Sequence, residues 1–137
     1  MTESIRGALF PMPHELAERL FSGQKDVFVK FTRFRYLSKG QRLILYDSDV
    51  HRVVGEGRIE RVEYAEPEEI WEKYGSRIFL RKTEFDEYVA RSPLGPRPQD
   101  RRIMTACVLN DLHRYEKPRA PSKRVTPSGY YLRGERD

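Results

Sequence analysis

The fold of this chain is constrained most by a short helix that ends at a glycine. A strand with alternating apolar residues follows this helix directly. Residues 15–22 have the spacing of an amphipathic helix, and Gly23 supplies the left-handed backbone that closes a last helical turn. We therefore expect the helix to stop at Ser22 and Lys25 to enter the next strand. This arrangement indicates a small barrel with a basic groove, although a lysine at such a position is also typical of a solvated surface.

The chain is long enough to build one compact core. Its 137 residues fall in the size range of a single domain, which we expect to span residues 1–137. No apolar run approaches the roughly 20 residues of a membrane helix, so we expect no membrane contact. Cys107 is the only cysteine and lies in an apolar run, which predicts a buried structural role in a reducing cytoplasm.

The charges are segregated along the chain. The net charge is +5, but residues 19–61 carry 10 Lys/Arg against 5 Asp/Glu, residues 62–90 carry 4 against 8, and residues 91–137 carry 11 against 5. A basic first half and a basic tail around an acidic helical insert would give the molecule a positive face that attracts a polyanion. The same excess of lysine and arginine also serves solubility alone.

Periodicity and turn residues predict alternating strands and helices without a repeat. Gly55 and Gly57 indicate a bulge or a barrel corner, and Thr83 with Asp86 resembles a capping box. The expected strands are 5–10, 26–32, 42–46, 52–64, 102–109 and 113–116. The expected helices are 13–22, one that starts at Pro67 and has Gly75 just past its end, and one that begins at Thr83; a loop covers 91–101, and an extended, basic, proline-rich tail starts at about 117.

The order of these motifs resembles a known superfamily. The order is similar to that of the ASCH and PUA-like superfamily. It consists of a helix, the motif Ser22-Gly23-x-Lys25, a strand with a cation at Lys30, the segment 39–46 and a long strand over 53–62. The resemblance implies an α+β fold, a PUA-like mixed β pseudo-barrel flanked by short helices, and RNA binding in many members. The later segments 69–75, 84–88 and 126–129 resemble more narrowly an uncharacterised archaeal family within it.

Some ASCH-like proteins are amidohydrolases that act on acetylated cytidine with a lysine, a threonine and a glutamate. The resemblance maps the lysine to Lys25 and the threonine to Phe28, which has no hydroxyl. Thr32 lies about 13 Å further along an extended strand, too far to replace it. We therefore assign no catalytic residue, and keep a nucleoside- or nucleotide-processing enzyme in the same groove as an alternative.

Other chemistries find little support in the sequence. The three histidines show no pair at metal-ligand spacing, so we expect no metal. Gly55-x-Gly57 lacks the third glycine and the helix of a dinucleotide loop, so we expect no cofactor. Trp71 among glutamates is more typical of a packing anchor than of a base-stacking platform. A protein-interaction module that uses the acidic insert around Trp71 is the second alternative.

Cations alternate with aromatic rings over residues 30–36. RNA recognition needs both groups, cations for phosphates and flat rings on which unpaired bases stack. The same alternation also fits a strand with its rings inward and its charges outward. We expect a partner RNA, structured or modified and single-stranded, to contact the following residues: Lys25, Lys30, Arg33, Arg35 and Arg42 at phosphates, Tyr36 as a stacking ring, and Arg119, Lys123 and Arg124 as secondary contacts.

Overall fold

The computed structural model describes residues 5–31, 36–91 and 103–133. Six strands and three helices alternate along these residues, which confirms the predicted α+β class. In chain order they are β1 (Gly7–Met12), α1 (His14–Phe21), β2 (Val27–Lys30), β3 (Arg42–Asp47), β4 (Arg52–Ala65), α2 (Pro67–Tyr74), a 3-10 turn (Gly75–Arg77), α3 (Lys82–Arg91), β5 (Met104–Arg119) and β6 (Tyr130–Leu132).

The strands form one mixed sheet in the order β2-β5-β4-β3-β1-β6. Strand β1 runs parallel to β3 and antiparallel to β6, while β3, β4, β5 and β2 pair antiparallel to one another. The sheet curls into a half-barrel, so its outermost strands β2 and β6 approach each other. The predicted strand over 42–46 is central, as its continuous apolar sequence indicates.

The core lies on both faces of the sheet. The larger cluster fills the space between the sheet and the helices, where α1 contributes Leu20, α2 contributes Ile70 and α3 contributes Phe85. Cys107 is fully buried in it, as predicted, and burial raises the pKa of its thiol to about 12. A smaller cluster on the outer face contains Leu9, Ile44, Val53 and Leu132.

The first two helices end at the predicted glycines. Gly23 and Gly75 both have positive φ, at 84° and 47°, and α1 ends one residue earlier than expected, at Phe21. The capping box at the start of α3 was predicted two residues too late. The helix begins at Lys82, and the Glu84 carboxylate accepts the N–H of Arg81 at 2.7 Å, because an acid three residues after the N-cap reaches back to it.

Strand β1 extends through Pro11, although the prediction ended it at Phe10. Proline lacks an N–H, but β6 pairs only with residues 7–9, so no neighbouring strand requires a donor from Pro11 on that side. On the other side β1 continues beside β3 to Met12. Strand β2 is shorter than expected: it begins at Val27, so Lys25 precedes the strand instead of entering it.

The long strand β4 has the irregularities that its glycines predict. Its pairing with β5 shifts register between Val53 and Gly55 and again between Glu56 and Arg58. A Cβ at Gly55 would lie 2.4 Å from the His113 carbonyl oxygen and 2.4 Å from the Phe21 ring, so this close approach requires glycine. The two predicted strands over 102–109 and 113–116 are one strand, β5, which continues through a left-handed residue.

The C-terminal segment, residues 120–133, crosses the outer face of the sheet and ends as β6. Val125 and Tyr130 pack on the smaller cluster, and Leu132 pairs with Gly7. The turn before β6 needs Gly129, whose φ is 69° and whose missing side chain leaves room for the Leu9 carbonyl. The predicted extended tail is therefore packed on the sheet, and the predicted loop over 91–101 lies outside the described residues except for Arg91.

Candidate functional site

Lys30 lies where two neighbouring cavities meet. It is the last residue of β2, at the open end of the half-barrel, and its side chain lines both cavities. Residues 11–13, the last two residues of β1 and the proline before α1, also line both. The larger cavity has a volume of about 450 Å³ and the smaller cavity one of about 380 Å³. Both volumes are in the range of small-molecule sites.

The Lys30 ammonium lies over the Phe10 ring, 5.0 Å from its centroid, and donates a hydrogen bond to the Pro127 carbonyl oxygen at 2.8 Å. Burial lowers the pKa of Lys30, because desolvation disfavours the charged form. Among the described residues no carboxylate lies within ion-pair distance of this ammonium. A partly desolvated cation whose partners among the described residues are a ring and a carbonyl oxygen can be stabilised by an anionic ligand.

The larger cavity is formed by β1, α1, β2 and α3. Its walls include the apolar side chains of Phe28 and Phe79 and the ring of Tyr88, which packs on Phe31 with centroids 5.2 Å apart. The Tyr88 hydroxyl accepts the Phe31 N–H at 3.0 Å, which fixes the orientation of this ring. The charged groups along its lining, besides Lys30, are Glu15, Glu84, Glu87 and Arg91.

The smaller cavity lies between the β3–β4 turn and the C-terminal segment. Besides Lys30, its lining contains polar side chains from the turn region and from the C-terminal segment. The His51 Nδ1 lies 3.3 Å from the Tyr46 hydroxyl. None of its described lining residues is acidic. The remaining polar side chains of its lining are those of Ser48 and Thr126.

Lys25 lines neither cavity. It lies in the connection from α1 to β2, and its ammonium donates a hydrogen bond to the Ser76 carbonyl oxygen. The neighbouring Asp26 carboxylate pairs with Arg77 at 2.9 Å. The helix–strand junction expected to hold the ligand is therefore separate from the cavities that Lys30 lines.

Arg42 and Arg119 both lie beside Tyr115 on the outer face of the sheet. Arg42 forms a two-pronged pair with Glu56 at 2.8 and 3.1 Å, and the Tyr115 hydroxyl donates to the same carboxylate at 2.8 Å. Although burial opposes it, this pairing holds the pKa of Glu56 below its usual value. Arg119 lies over the Tyr115 ring, 5.0 Å from its centroid. The charge of Arg42 is thus largely balanced within the protein.

The other predicted contacts are distributed along the C-terminal segment and its edge. Lys123 lies over the Tyr130 ring at 5.2 Å, and Arg124 is exposed. Tyr36 is 60% exposed and meets the Tyr131 ring edge-on at 5.6 Å. Arg33 and Arg35 lie outside the described residues.

Sequence reasoning missed the residues that complete the cavities. Pro127 accepts the hydrogen bond of Lys30 from 97 positions away, Thr126 lines the smaller cavity beside it, and Glu87 of α3 lines the larger cavity. The apolar stripe of α3 was the available signal, because it placed Tyr88 toward the core. Trp71, as predicted, is a packing residue, with its ring 5.0 Å from that of Phe85.

Two other features are absent from the part of the chain that the structure describes. No group of three or more His, Cys, Asp or Glu side chains is arranged to hold a metal ion. No helix within the described ranges has the length and apolar character needed to cross a membrane.

The fold is that of the ASCH and PUA-like proteins. The ASCH protein of Zymomonas mobilis superposes with a TM-score of 0.76 at 20% identity, over 94% of this chain and 89% of that chain, and a point variant of it gives the same score over 94% and 91%. A protein of Enterococcus faecalis gives 0.51 at 13% identity, over 85% and 84%. The predicted pseudo-barrel fold is thereby confirmed.

The family is defined more narrowly by sequence. Residues 5–134 match the model of a family described as a domain of unknown function, DUF365, and the chain belongs to this family. An uncharacterised protein of the archaeon Methanocaldococcus jannaschii is 29% identical over 96 residues, which cover 67% of this chain and 89% of that protein. The predicted resemblance to an archaeal family within the superfamily agrees with this relative.

Proposed function

We propose that this protein is an RNA-binding module that holds a structured or modified single-stranded segment at Lys30. The observation that carries the proposal is the partly desolvated Lys30 ammonium at the junction of two cavities, without a carboxylate partner among the described residues. A phosphate there would supply the missing negative charge. The ASCH and PUA-like fold supports the proposal only at the level of the superfamily.

The remaining predicted contacts extend this site in different ways. Arg33 and Arg35 follow Lys30 closely in sequence and are proposed to continue the phosphate path. Lys25 and Arg42 are proposed as weaker, peripheral contacts, since Lys25 is remote from the cavities and Arg42 is paired with Glu56. Tyr36, Arg119, Lys123 and Arg124 would guide the strand outside the cavities.

Binding accounts for the site better than turnover does. Phe28 lines the larger cavity and is 2% exposed, so the position at which the resemblance places a threonine offers an apolar wall and no hydroxyl. Lys25, to which the resemblance assigns the lysine, points to the Ser76 carbonyl. We therefore propose no reaction at this site.

The test is a salt titration of RNA affinity. Lys30→Met should weaken binding of a labelled single-stranded RNA about tenfold, because a charge-assisted contact is lost, and should reduce the salt slope by about 0.7. Lys39→Met is the matched control, since Lys39 is an exposed turn lysine that lines neither cavity. Absence of RNA binding, or equal effects of the two variants, would contradict the proposal; the double variant Arg33→Glu with Arg35→Glu tests the proposed path.

A further inference from the structure

The two cavities that meet at Lys30 differ in charge. Three acidic residues and one arginine, Arg91, occur along the larger cavity besides Lys30, whereas the described lining of the smaller one holds Lys30, His51 and hydroxyl groups without an acid, so the smaller cavity is the more positive of the two. A nucleotide bound across Lys30 would therefore place its phosphate toward the smaller cavity. Its base, which is neutral, would occupy the larger cavity, because carboxylates there repel a phosphate.

The walls of the larger cavity suit a flat ring. Phe28 and Phe79 are buried against each other, with rings 5.1 Å apart, and form an apolar floor, while the partly exposed ring of Tyr88 is held at the wall by its hydrogen bond to the Phe31 backbone. Bases that are not paired in a duplex are recognised by packing on such rings and by hydrogen bonds to their Watson–Crick edges. The edge of a base in this cavity would face the acidic residues of α1 and α3.

One of these carboxylates is available to a ligand. Glu84 accepts two hydrogen bonds from Arg19, at 2.6 and 3.1 Å, and Glu15 accepts one at 3.1 Å. The Glu87 carboxylate, one helical turn after Glu84, makes no hydrogen bond or ion pair within the described ranges. Its two oxygens can accept two parallel N–H donors.

Guanine is the base whose edge fits this acceptor. Its Watson–Crick edge presents two adjacent donors, N1–H and N2–H, which match the two oxygens of a carboxylate. Adenine and cytosine present one amino donor next to a ring nitrogen acceptor, and uracil presents one donor between two carbonyl groups, so each would place an acceptor against a carboxylate. We propose that the larger cavity selects an unpaired guanine through Glu87; this rests on the proposed function and specifies its ligand.

The experiment measures the affinity of four seven-nucleotide RNAs, uridine runs with G, A, C or U at the centre, by fluorescence anisotropy. The wild-type protein should prefer the G-containing RNA about tenfold. Glu87→Gln should reduce this preference to within about twofold, because one acceptor oxygen is lost. Glu72→Gln, an exposed glutamate on α2 outside both cavities, should keep it.

The outcomes separate the two proposals. Equal binding of all four RNAs by the wild-type protein, with a loss on Lys30→Met, would overturn guanine selection and leave the RNA-binding function supported. A guanine preference that survives Glu87→Gln would overturn the role of Glu87. Failure of every RNA to bind would overturn the proposed function itself.

Discussion

The Arg19 guanidinium connects α1 to the beginning of α3. Its side chain is 13% exposed, donates to the Phe79 carbonyl oxygen at 2.9 Å and pairs with Glu84, which also caps α3. Hydrogen bonds from Arg19 are the main reason that the pKa of Glu84 falls to about 2. These contacts fix the acidic wall of the larger cavity relative to the sheet.

We expect the Arg19–Glu84 pair to make the free energy of unfolding decrease at acidic pH. The folded pKa of Glu84 is below its ordinary value of 4.5, so its contribution is complete above that value and is lost as the pH falls toward about 2. Glu84→Gln should lower the free energy of unfolding at neutral pH by about 1 kcal/mol, a figure discounted because a third of the side chain is exposed. The same substitution should also reduce the decrease of the unfolding free energy between pH 4.5 and about 2.

Urea unfolding of the wild-type protein and of Glu84→Gln at a series of pH values measures this effect. Glu72→Gln serves again as the control, because Glu72 is exposed on α2. Equal pH slopes for the wild-type protein and Glu84→Gln would show that the pair does not govern acid stability.

Single residues could be predicted from the sequence only where their environment is local. The Gly-x-Lys pattern directed attention to Lys25, whereas the partly desolvated cation is Lys30. Its hydrogen-bond acceptor is the carbonyl of Pro127, which is 97 positions away, and no local pattern encodes such a contact. Arg42 was placed in the right strand, but its pairing with Glu56 depends on a register set by the β4 bulges.

At the scale of elements, the helices were predicted better than the late strands. Helices α1 and α2 are ended by glycines, and this signal lies within the helix sequence itself. Strand β5 was predicted as two strands, over 102–109 and 113–116, yet β4 pairs with it on both sides of the left-handed Asp111. Strand β6 has only three residues and follows several prolines, so its sequence gave no strand pattern.

Gly55 of β4 allows α1 to pack closely against the sheet through Phe21. Gly55→Ala should destabilise the protein by about 1–3 kcal/mol, because the new Cβ would meet the His113 backbone carbonyl and the Phe21 ring. Gly57→Ala should cost clearly less, since its Cβ would meet the tip of the Leu112 side chain at 2.7 Å, which can rotate away. Denaturant unfolding measures the stability of both variants. An equal loss of unfolding free energy in Gly55→Ala and Gly57→Ala would contradict the role assigned to Gly55.

At the scale of the whole molecule, the Lys30–Pro127 hydrogen bond connects the two outermost parts of the sheet. Lys30 ends β2, and Pro127 lies three residues before β6, so the open side of the half-barrel is bridged by a side chain instead of a strand pair. The resemblance implied the pseudo-barrel correctly. The docking of the C-terminal segment could not be predicted, since its prolines fit an extended tail equally well.

The pairing of β6 with β1 has a consequence for folding kinetics. It joins residues 7–9 to 130–132, the largest sequence separation among the strand pairs of the described residues, and should form after the transition state. Leu132 is 1% exposed, and Leu132→Ala should remove about 2–5 kcal/mol. Stopped-flow measurements should find that unfolding accelerates while refolding keeps its rate. A refolding rate that falls in proportion would instead place this closure in the folding nucleus.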